Sequence, residues 1–159
     1  MLHLLALVVL FCFSFVLLFG APYLPTLRKG RTMALQLLNL KSGQVLLELG
    51  CGDGRLLKEA AKQGIVGVGY ELNPLLVVIA KLVTYKYRQQ ITIKWANYWQ
   101  AHWPEANGIY VFLLKKYMGK LDQNIKERNI RNIKVLSYGF EIRGKKCVKK
   151  QAGFFLYKY

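Results

Sequence analysis

The sequence predicts an α/β fold, in which a mostly parallel, doubly wound sheet ends in an antiparallel strand and is preceded by one apolar helix. Three observations support this fold class. Residues 4–19 form an apolar run without a charged residue. From residue 44 onwards, strand-like and helix-like segments alternate, which is typical of a parallel sheet with helices on both faces. A glycine-rich break follows the first strong strand, as expected where a strand turns sharply into a helix.

The apolar run makes residues 1–20 a predicted transmembrane anchor. Such a run provides about 30 Å of helix, which is enough to cross a hydrocarbon core. The alternative is a cleaved signal peptide, which requires a positive residue before the run and small residues before the cleavage site. Only His3 precedes the run, and Phe19 stands beside Gly20 and Ala21. We therefore expect an uncleaved anchor.

The charges that flank the run predict its orientation. Arg28, Lys29 and Arg31 follow it, whereas no Lys or Arg precedes it. Basic residues favour the cytoplasmic side of a membrane. We expect a single-pass membrane protein whose folded domain faces the cytoplasm.

Two regions follow the anchor. Residues 21–43 are predicted to form a proline-containing connector and a helix at 29–40, since prolines favour extended backbone before the helix begins. Residues 44–159 are predicted to form one domain, whose last strand pairs antiparallel. Its predicted strands are 44–49, 65–71, 91–95, 109–114, 133–138 and 154–159, and its predicted helices are 56–63, 73–87 and 118–128.

The composition predicts an anionic partner and excludes a disulfide-rich protein. Lys and Arg total 24 against 8 acids, giving a formal net charge of +16. For a chain with an apolar anchor we favour lipid headgroups as that partner, and nucleic acid remains possible. The cysteines Cys12, Cys51 and Cys147 are too few and too widely spaced for a disulfide framework or a zinc site. No metal site is predicted.

The strongest functional motif is a glycine loop between the first strand and the next helix. Gly50, Gly52 and Gly54 alternate with other residues directly after the strand. Glycines allow a sharp turn and close approach of a ligand to the backbone, and the following helix presents free N–H groups. Glu71 ends the second strand, where an acid can accept both hydroxyls of a ribose.

The spacing of the loop favours a cationic ligand over a dinucleotide. Dinucleotide-binding loops follow the pattern G-x-G-x-x-G, but here the third glycine comes one residue early and Arg55 stands in its place. Glu48, Asp53 and Glu71 bring three of the eight acids of the chain to this motif. A plain glycine turn in another α/β protein remains the alternative.

The segments ELGCGDGR (48–55) and GVGYELNP (67–74) resemble those of class I methyltransferases, which use S-adenosylmethionine. More narrowly, they are similar to the small membrane-associated protein lysine methyltransferases related to those acting on the ATP synthase c subunit and the adenine nucleotide translocase. The apolar anchor and the segment APYLPT (21–26) are also similar. The resemblance covers residues 21–100 well and the rest in outline. It implies a Rossmann-like methyltransferase fold and an enzyme.

The resemblance also implies roles for particular residues. Glu71 would hold the ribose of the cofactor, and Asn97 would lie against the adenine edge, although an ordinary turn asparagine explains it equally well. Tyr98 and the neighbouring Trp99 are as well explained by packing as by contact with adenine. Tyr23 would line the substrate entrance, or belong to an interfacial aromatic belt. The predicted cofactor-binding residues are Glu48, Gly50, Cys51, Gly52, Asp53, Gly54, Glu71, Leu72, Asn73, Asn97 and Tyr98.

The catalytic residues and the methyl acceptor are not identified by the sequence. The fourth strand is followed by Lys115 and Lys116, where nucleic-acid amino-methyltransferases carry an Asn/Asp-Pro-Pro-aromatic loop and the lysine methyltransferases a proline. His102 is the only histidine of the domain and is predicted to lie in a loop. The expected partner is a membrane or membrane-proximal protein methylated on lysine. The alternatives are methylation of RNA, a small molecule or a lipid, and a non-catalytic anchored module.

Overall fold

The computed structural model of the protein describes residues 26–159. The predicted anchor at 1–20 and the predicted substrate residue Tyr23 therefore lie outside the described residues. Within 26–159, no helix combines the length and the apolar composition that crossing a bilayer requires.

The described residues form four α-helices, two 3₁₀ turns and seven strands. The helices are α1 (Arg28–Leu38), α2 (Arg55–Ala61), α3 (Pro74–Thr84) and α4 (Met118–Glu127), with 3₁₀ turns at Tyr85–Tyr87 and Lys115–Tyr117. The strands are β1 (Val45–Leu49), β2 (Val66–Glu71), β3 (Ile91–Trp95), β4 (Gly108–Val111), β5 (Lys134–Tyr138), β6 (Lys149–Gln151) and β7 (Phe154–Lys158).

The strands form one sheet in the order β3-β2-β1-β4-β5-β7-β6. Strands β1 to β5 pair in parallel, whereas β7 runs antiparallel between β5 and β6. The predicted mostly parallel sheet with an antiparallel C-terminal strand is confirmed. The strand order reverses between β1 and β4, and in open α/β sheets ligands bind beyond the carboxyl ends of the strands at such a point.

Helices cover both faces of the sheet. Buried side chains of α1, α2 and α3 form one hydrophobic cluster with β3 and parts of β1, β4, β5 and β7. On the other face, α4 packs Met118, Leu121 and Ile125 against the sheet, together with Trp103 from the loop after β3. The helix before β1, α1, thus contributes Ala34 and Leu38 to the same core as the sheet.

Local sequence explains where α3 begins and ends. The side-chain oxygen of Asn73 accepts a hydrogen bond from the backbone N–H of Leu75, and Pro74 occupies the first turn, where it removes no helical hydrogen bond. The sequence predicts one helix over 73–87. In the structure the α-helix ends at Thr84 and a 3₁₀ turn completes the segment.

One expectation about a strand needs correction, and one strand is missed. The fourth strand is predicted at 109–114, but β4 ends at Val111 because the next residues leave the ladder before the 3₁₀ turn at Lys115–Tyr117. The sequence does not predict strand β6. Its residues Lys149–Gln151 are all exposed, so they lack the apolar alternation that would mark a strand.

Gly69, in the middle of β2, allows the glycine loop to lie directly on the sheet. A Cβ at this position would come within 2.7 Å of both Cys51 Sγ and Leu57 Cδ1. Separations this short are far inside van der Waals contact, so a side chain here would push the loop and α2 away from the sheet.

Replacing Gly69 by alanine is therefore expected to lower the free energy of unfolding by about 1–3 kcal/mol, the usual cost of overpacking. Gly119→Ala is the control, because a Cβ there meets no heavy atom within 4 Å. Since Gly119 lies in α4, alanine should be neutral or stabilise by up to about 1 kcal/mol. Urea unfolding of the full chain, followed by circular dichroism, measures both. Equal stability of the two variants would contradict the close approach of the loop.

Candidate functional site

The loop between β1 and α2 forms the floor of the candidate site. It runs from Gly50 to Gly54, as the sequence predicts, and its three glycines have positive φ angles of 82°, 54° and 74°. Other residues rarely adopt this backbone region, so the alternation of glycines is a requirement of the turn. A Cβ on Gly50 would meet no atom within 4 Å, which leaves open space above the loop.

Glu71 connects this loop to the end of β2. Its Oε2 accepts a hydrogen bond from the N–H of Gly52 at 2.9 Å. Its Oε1 accepts hydrogen bonds from the N–H groups of Leu72 and Asn73 at 2.9 and 2.8 Å. An ionised carboxylate has about four acceptor positions, so one remains for a ligand hydroxyl. Glu71 thus orients the loop and also faces the site.

Glu48 is a buried carboxylate with one oxygen that lacks a hydrogen-bond partner. It lies on β1 and is 6% exposed, and its Oε2 has no hydrogen-bond partner within the described residues. Burial raises the pKa of Glu48 well above its ordinary value, and the negative charges of Asp53 and Glu71 raise it further, while Arg31 lowers it. A cation placed beside Glu48 would supply the missing charge and hydrogen bonds.

Asp53 differs from Glu48 because it already has a partner. Its Oδ1 accepts a hydrogen bond from the backbone N–H of Arg55 at 3.1 Å, and its Oδ2 lies 2.9 Å from Arg55 Nε. The sequence groups Glu48, Asp53 and Glu71 as three equivalent acids. Among the acids that the structure describes, only Glu48 has an unpartnered buried oxygen.

The predicted adenine-side residues reach the same edge of the sheet. Asn97 follows β3, next to the end of β2, where the N–H of Ala96 donates to the Glu71 carbonyl at 3.1 Å. Its side-chain oxygen accepts from the N–H of Trp99 at 3.1 Å, which is the turn role that the sequence leaves open. Tyr98 packs its ring 4.8 Å from that of Trp99, and burial raises its pKa.

Sequence reasoning misses two residues at this edge. Arg31, on α1, buries an Nε that has no hydrogen-bond partner among the described residues, and its charge acts on Glu48. Trp95, at the end of β3, donates from its indole N–H to the Leu72 carbonyl at 2.9 Å. Neither is marked by a motif, because Arg31 lies on a helix that packs against β5 and β7 and Trp95 lies at the end of the edge strand β3.

A pocket of about 410 Å³ lies beyond the carboxyl ends of β4 and β5. Most of its lining surface is apolar, and its charged residues are mostly cations. The lining residues are Lys115, Lys116, Met118, Gly119, Glu141 and Arg143. The only acid among them, Glu141, already holds Lys150 Nζ at 2.8 Å.

The raised pKa of Glu48 predicts how stability changes with pH. The folded protein retains a proton that the unfolded chain loses, so ligand-free protein loses stability as the pH rises from the ordinary carboxyl range towards the raised pKa. Glu48→Gln cannot ionise. Its advantage in free energy of unfolding should therefore increase as the pH rises above about 5, by about 1.4 kcal/mol for each unit by which folding raises the pKa.

Urea unfolding of the full chain across this pH range measures the difference between the two proteins. The matched control is Glu105→Gln, because Glu105 is an exposed carboxylate. The free energy of unfolding of Glu105→Gln should follow that of the unsubstituted protein across the same pH range. A constant offset between Glu48→Gln and the unsubstituted protein would contradict an ionisable, uncompensated Glu48.

Sequence relatives of this chain are lysine methyltransferases. A protein-lysine N-methyltransferase from Saccharolobus islandicus is 29% identical over 139 residues, which cover 83% of this chain and 86% of that protein. The human lysine N-methyltransferase named for the ATP synthase c subunit is 26% identical over 121 residues and 75% of this chain. The chain spans 52% of the length of that human relative.

Solved structures share the fold. An RNA methyltransferase from Salinibacter ruber, in complex with S-adenosyl-L-homocysteine, has a TM-score of 0.77 at 25% identity, covering 84% of this chain and 91% of that one. A SAM-dependent methyltransferase from Geobacter sulfurreducens, bound to the same molecule, has a TM-score of 0.62 at 21% identity, covering 79% and 53%.

The glycine loop, the unpartnered oxygen of Glu48 and the remaining acceptor position of Glu71 fit S-adenosylmethionine, which carries an ammonium group and a ribose. The family model of the ANTKMT methyltransferase domain matches residues 48–149, more than half of the chain. The chain therefore belongs to the ANTKMT methyltransferase-domain family and uses S-adenosylmethionine as its cofactor.

Proposed function

We propose that the protein methylates a lysine side chain of a membrane or membrane-proximal protein. The observation that carries this proposal is the agreement between relatives. The archaeal protein, which aligns over most of both chains, and the human protein are both named for lysine methylation. Both relatives are less than 30% identical to this chain. Two such distant relatives with the same named activity support lysine methylation as the activity of the shared domain.

The cofactor is proposed to lie across the carboxyl ends of β1 to β3. Glu48 would face the ammonium group, because its buried oxygen needs a positive partner. The glycine loop would approach the methionine part, and Glu71 would accept a hydrogen bond from the ribose. When bound, the cofactor supplies the methyl group and a positive sulfonium.

The pocket beyond β4 and β5 is proposed to receive the acceptor lysine. A free lysine has a pKa of about 10.4 and must lose its proton before its nitrogen can attack a methyl group. Neighbouring positive charges and burial both lower the pKa of an amine. Lys115, Lys116 and Arg143 line the pocket, so the neutral form of the incoming amine would be favoured.

The amine is proposed to lose that proton to water, because the one acid that lines the pocket, Glu141, is paired with Lys150. His102, the domain histidine, is exposed in a loop, and its carbonyl accepts a hydrogen bond from Tyr70. It lies in the loop after β3 and does not line the pocket. In this proposal, alignment of the amine with the methyl group supplies much of the catalysis, as expected for an in-line displacement.

A membrane location is part of the proposal. Its support is the uncharged apolar run at residues 4–19, followed by Arg28, Lys29 and Arg31. This pattern favours an anchor with the domain on the cytoplasmic side. An enzyme held there would meet membrane proteins at a high local concentration.

Methylation of RNA is the second candidate. Its support is the formal net charge of +16 and the Salinibacter ruber structure, which is described as an RNA methyltransferase. Against it, the residues after β4 are Phe112 to Tyr117, without the Pro-Pro-aromatic sequence that grips a base amine in nucleic-acid amino-methyltransferases.

Replacing Glu71 by alanine should weaken binding of S-adenosylmethionine by about 100-fold or more. Charge-assisted hydrogen bonds contribute about 1.5–3 kcal/mol each, and the variant also frees the N–H of Gly52. Isothermal titration calorimetry of the full chain measures the affinity. Glu59→Ala is the control, because Glu59 lies on α2 and pairs with surface Lys62. An unchanged affinity in Glu71→Ala would place the cofactor elsewhere.

Methyl transfer to protein is tested with tritiated S-adenosylmethionine, the detergent-solubilised full chain and membranes from its own source. We expect label on lysine of a polypeptide, and none with Glu71→Ala. Label in RNA would favour the second candidate. Absence of label from protein, RNA and lipid, with cofactor binding intact, would overturn the proposed activity.

A further inference from the structure

Most of the exposed large apolar side chains in the described part of the chain lie on one flank. Seven such side chains are exposed there, and five of them belong to α3, the following 3₁₀ turn and the end of β3. We call these five residues the α3 flank: Leu75, Val78, Leu82, Tyr85 and Trp95. Leu82 and Trp95 are 70% and 67% exposed, so they are surface residues and not the edge of the core.

The α3 flank is one continuous face. Leu75, Val78 and Leu82 are three and four residues apart, which places them on the same side of the helix. The opposite side of α3 is the one that packs into the core, through Val77, Ala80 and Thr84. The helix is thus apolar both towards the sheet and towards solvent, which is unusual for a surface helix.

Trp95 extends the flank from the helix to the edge of the sheet. It lies on the same face of β3 as Ile91 and Ile93, which are buried in the cluster that includes α3. Its indole N–H reaches the carbonyl of Leu72, just before α3 begins. The aromatic rings of Trp95 and Tyr85 therefore flank the aliphatic residues of the helix.

The charges in the segment that carries the flank have one sign. Residues 72–104 contain no Asp or Glu. Lys81, Lys86 and Arg88 are exposed on α3 and just after it, and we call these three residues the basic rim. The guanidinium of Arg88 lies 4.7 Å from the ring of Tyr85, which joins the rim to the flank.

This combination decides between possible occupants of the α3 flank. A second copy of the chain would bring two basic rims together, at a cost in like-charge repulsion. A nucleic acid would satisfy the rim but leave the aliphatic side chains in water. An apolar face with Tyr and Trp and a border of Lys and Arg matches the boundary between acyl chains and anionic headgroups.

We propose that the α3 flank and its basic rim dock on the surface of an anionic lipid bilayer, so that α3 lies along the membrane plane. The apolar side chains enter the headgroup boundary, and the rim contacts the lipid phosphates. Because Asn73, which caps α3, donates a hydrogen bond to Glu71, docking would hold the carboxyl ends of β1 to β3 at a constant distance from the membrane. This inference does not depend on which group is methylated.

The test uses the full chain in lipid nanodiscs, one copy per disc, with an environment-sensitive fluorophore on a cysteine. Val78→Cys places the dye on the flank, and Gln123→Cys places it on exposed α4, on the other face of the sheet. Cys12 and Cys147 are replaced by serine in every variant, and Cys51 is buried. Residues 1–25 are otherwise identical throughout, so any difference reports on the flank and not on the apolar run.

In discs that contain phosphatidylglycerol, we expect the dye at position 78 to emit at shorter wavelength and to be quenched by doxyl-labelled lipid. The dye at position 123 should remain in water. Changing Lys81, Lys86 and Arg88 to glutamine should lower the ratio of docked to undocked protein by about fivefold for each residue. Leu82→Gln should weaken docking without affecting the fold, because Leu82 is exposed.

Three results would overturn the proposal. The first is a dye at position 78 that is as exposed as the dye at position 123 in both anionic and phosphatidylcholine discs. The second is equal shielding in both kinds of disc and in detergent, with no effect of the glutamine substitutions, which would mean that the chain covers its own flank. The third is shielding in detergent that increases with protein concentration, which would identify a second copy as the occupant.

Discussion

The hydrogen bonds accepted by Glu71 join segments that are 19 residues apart in the chain, the turn after β1 and the end of β2. Each segment alone would be a flexible connection with unpaired N–H groups. Together they form a fixed floor, because one carboxylate holds Gly52 on one side and Leu72 and Asn73 on the other. The position of α3 depends on the same contact, since Asn73 also caps that helix. Cofactor recognition and helix placement therefore share one side chain.

Glu48 shows a different relation between folding and binding. A buried carboxylate without a partner destabilises the ligand-free protein, and evolution would ordinarily replace it with an apolar residue. Its position beside the glycine loop gives it a use, because a ligand cation removes the destabilisation that burial creates. Binding energy and stability are thus linked through a single residue, and the ligand-bound protein should be the more resistant to unfolding. Asp53, which Arg55 already neutralises, cannot act in this way.

The sequence could predict the elements that have a strong local pattern. The strand before Gly50, the glycine turn and Glu71 at the end of β2 follow from apolar runs and glycine spacing. The lysine-rich β6 could not be predicted, because it exists only as the partner of β7. The different states of Glu48 and Asp53 were also not predictable, since both are acids beside one loop. Arg31 and Trp95 reach the site through tertiary contacts between elements that are distant in the chain, and no local spacing records those contacts.

The two outer strands of the sheet have a consequence for the behaviour of the protein at high concentration. An open sheet presents unpaired backbone groups along each edge, which can recruit strands from other molecules. Here β6 carries Lys149 and Lys150, and β3 carries the exposed Lys94. A neighbouring molecule that added a strand at either edge would have to bring like charges together and remove them from water. The lysines therefore oppose aggregation at the two places where the fold is most open to it.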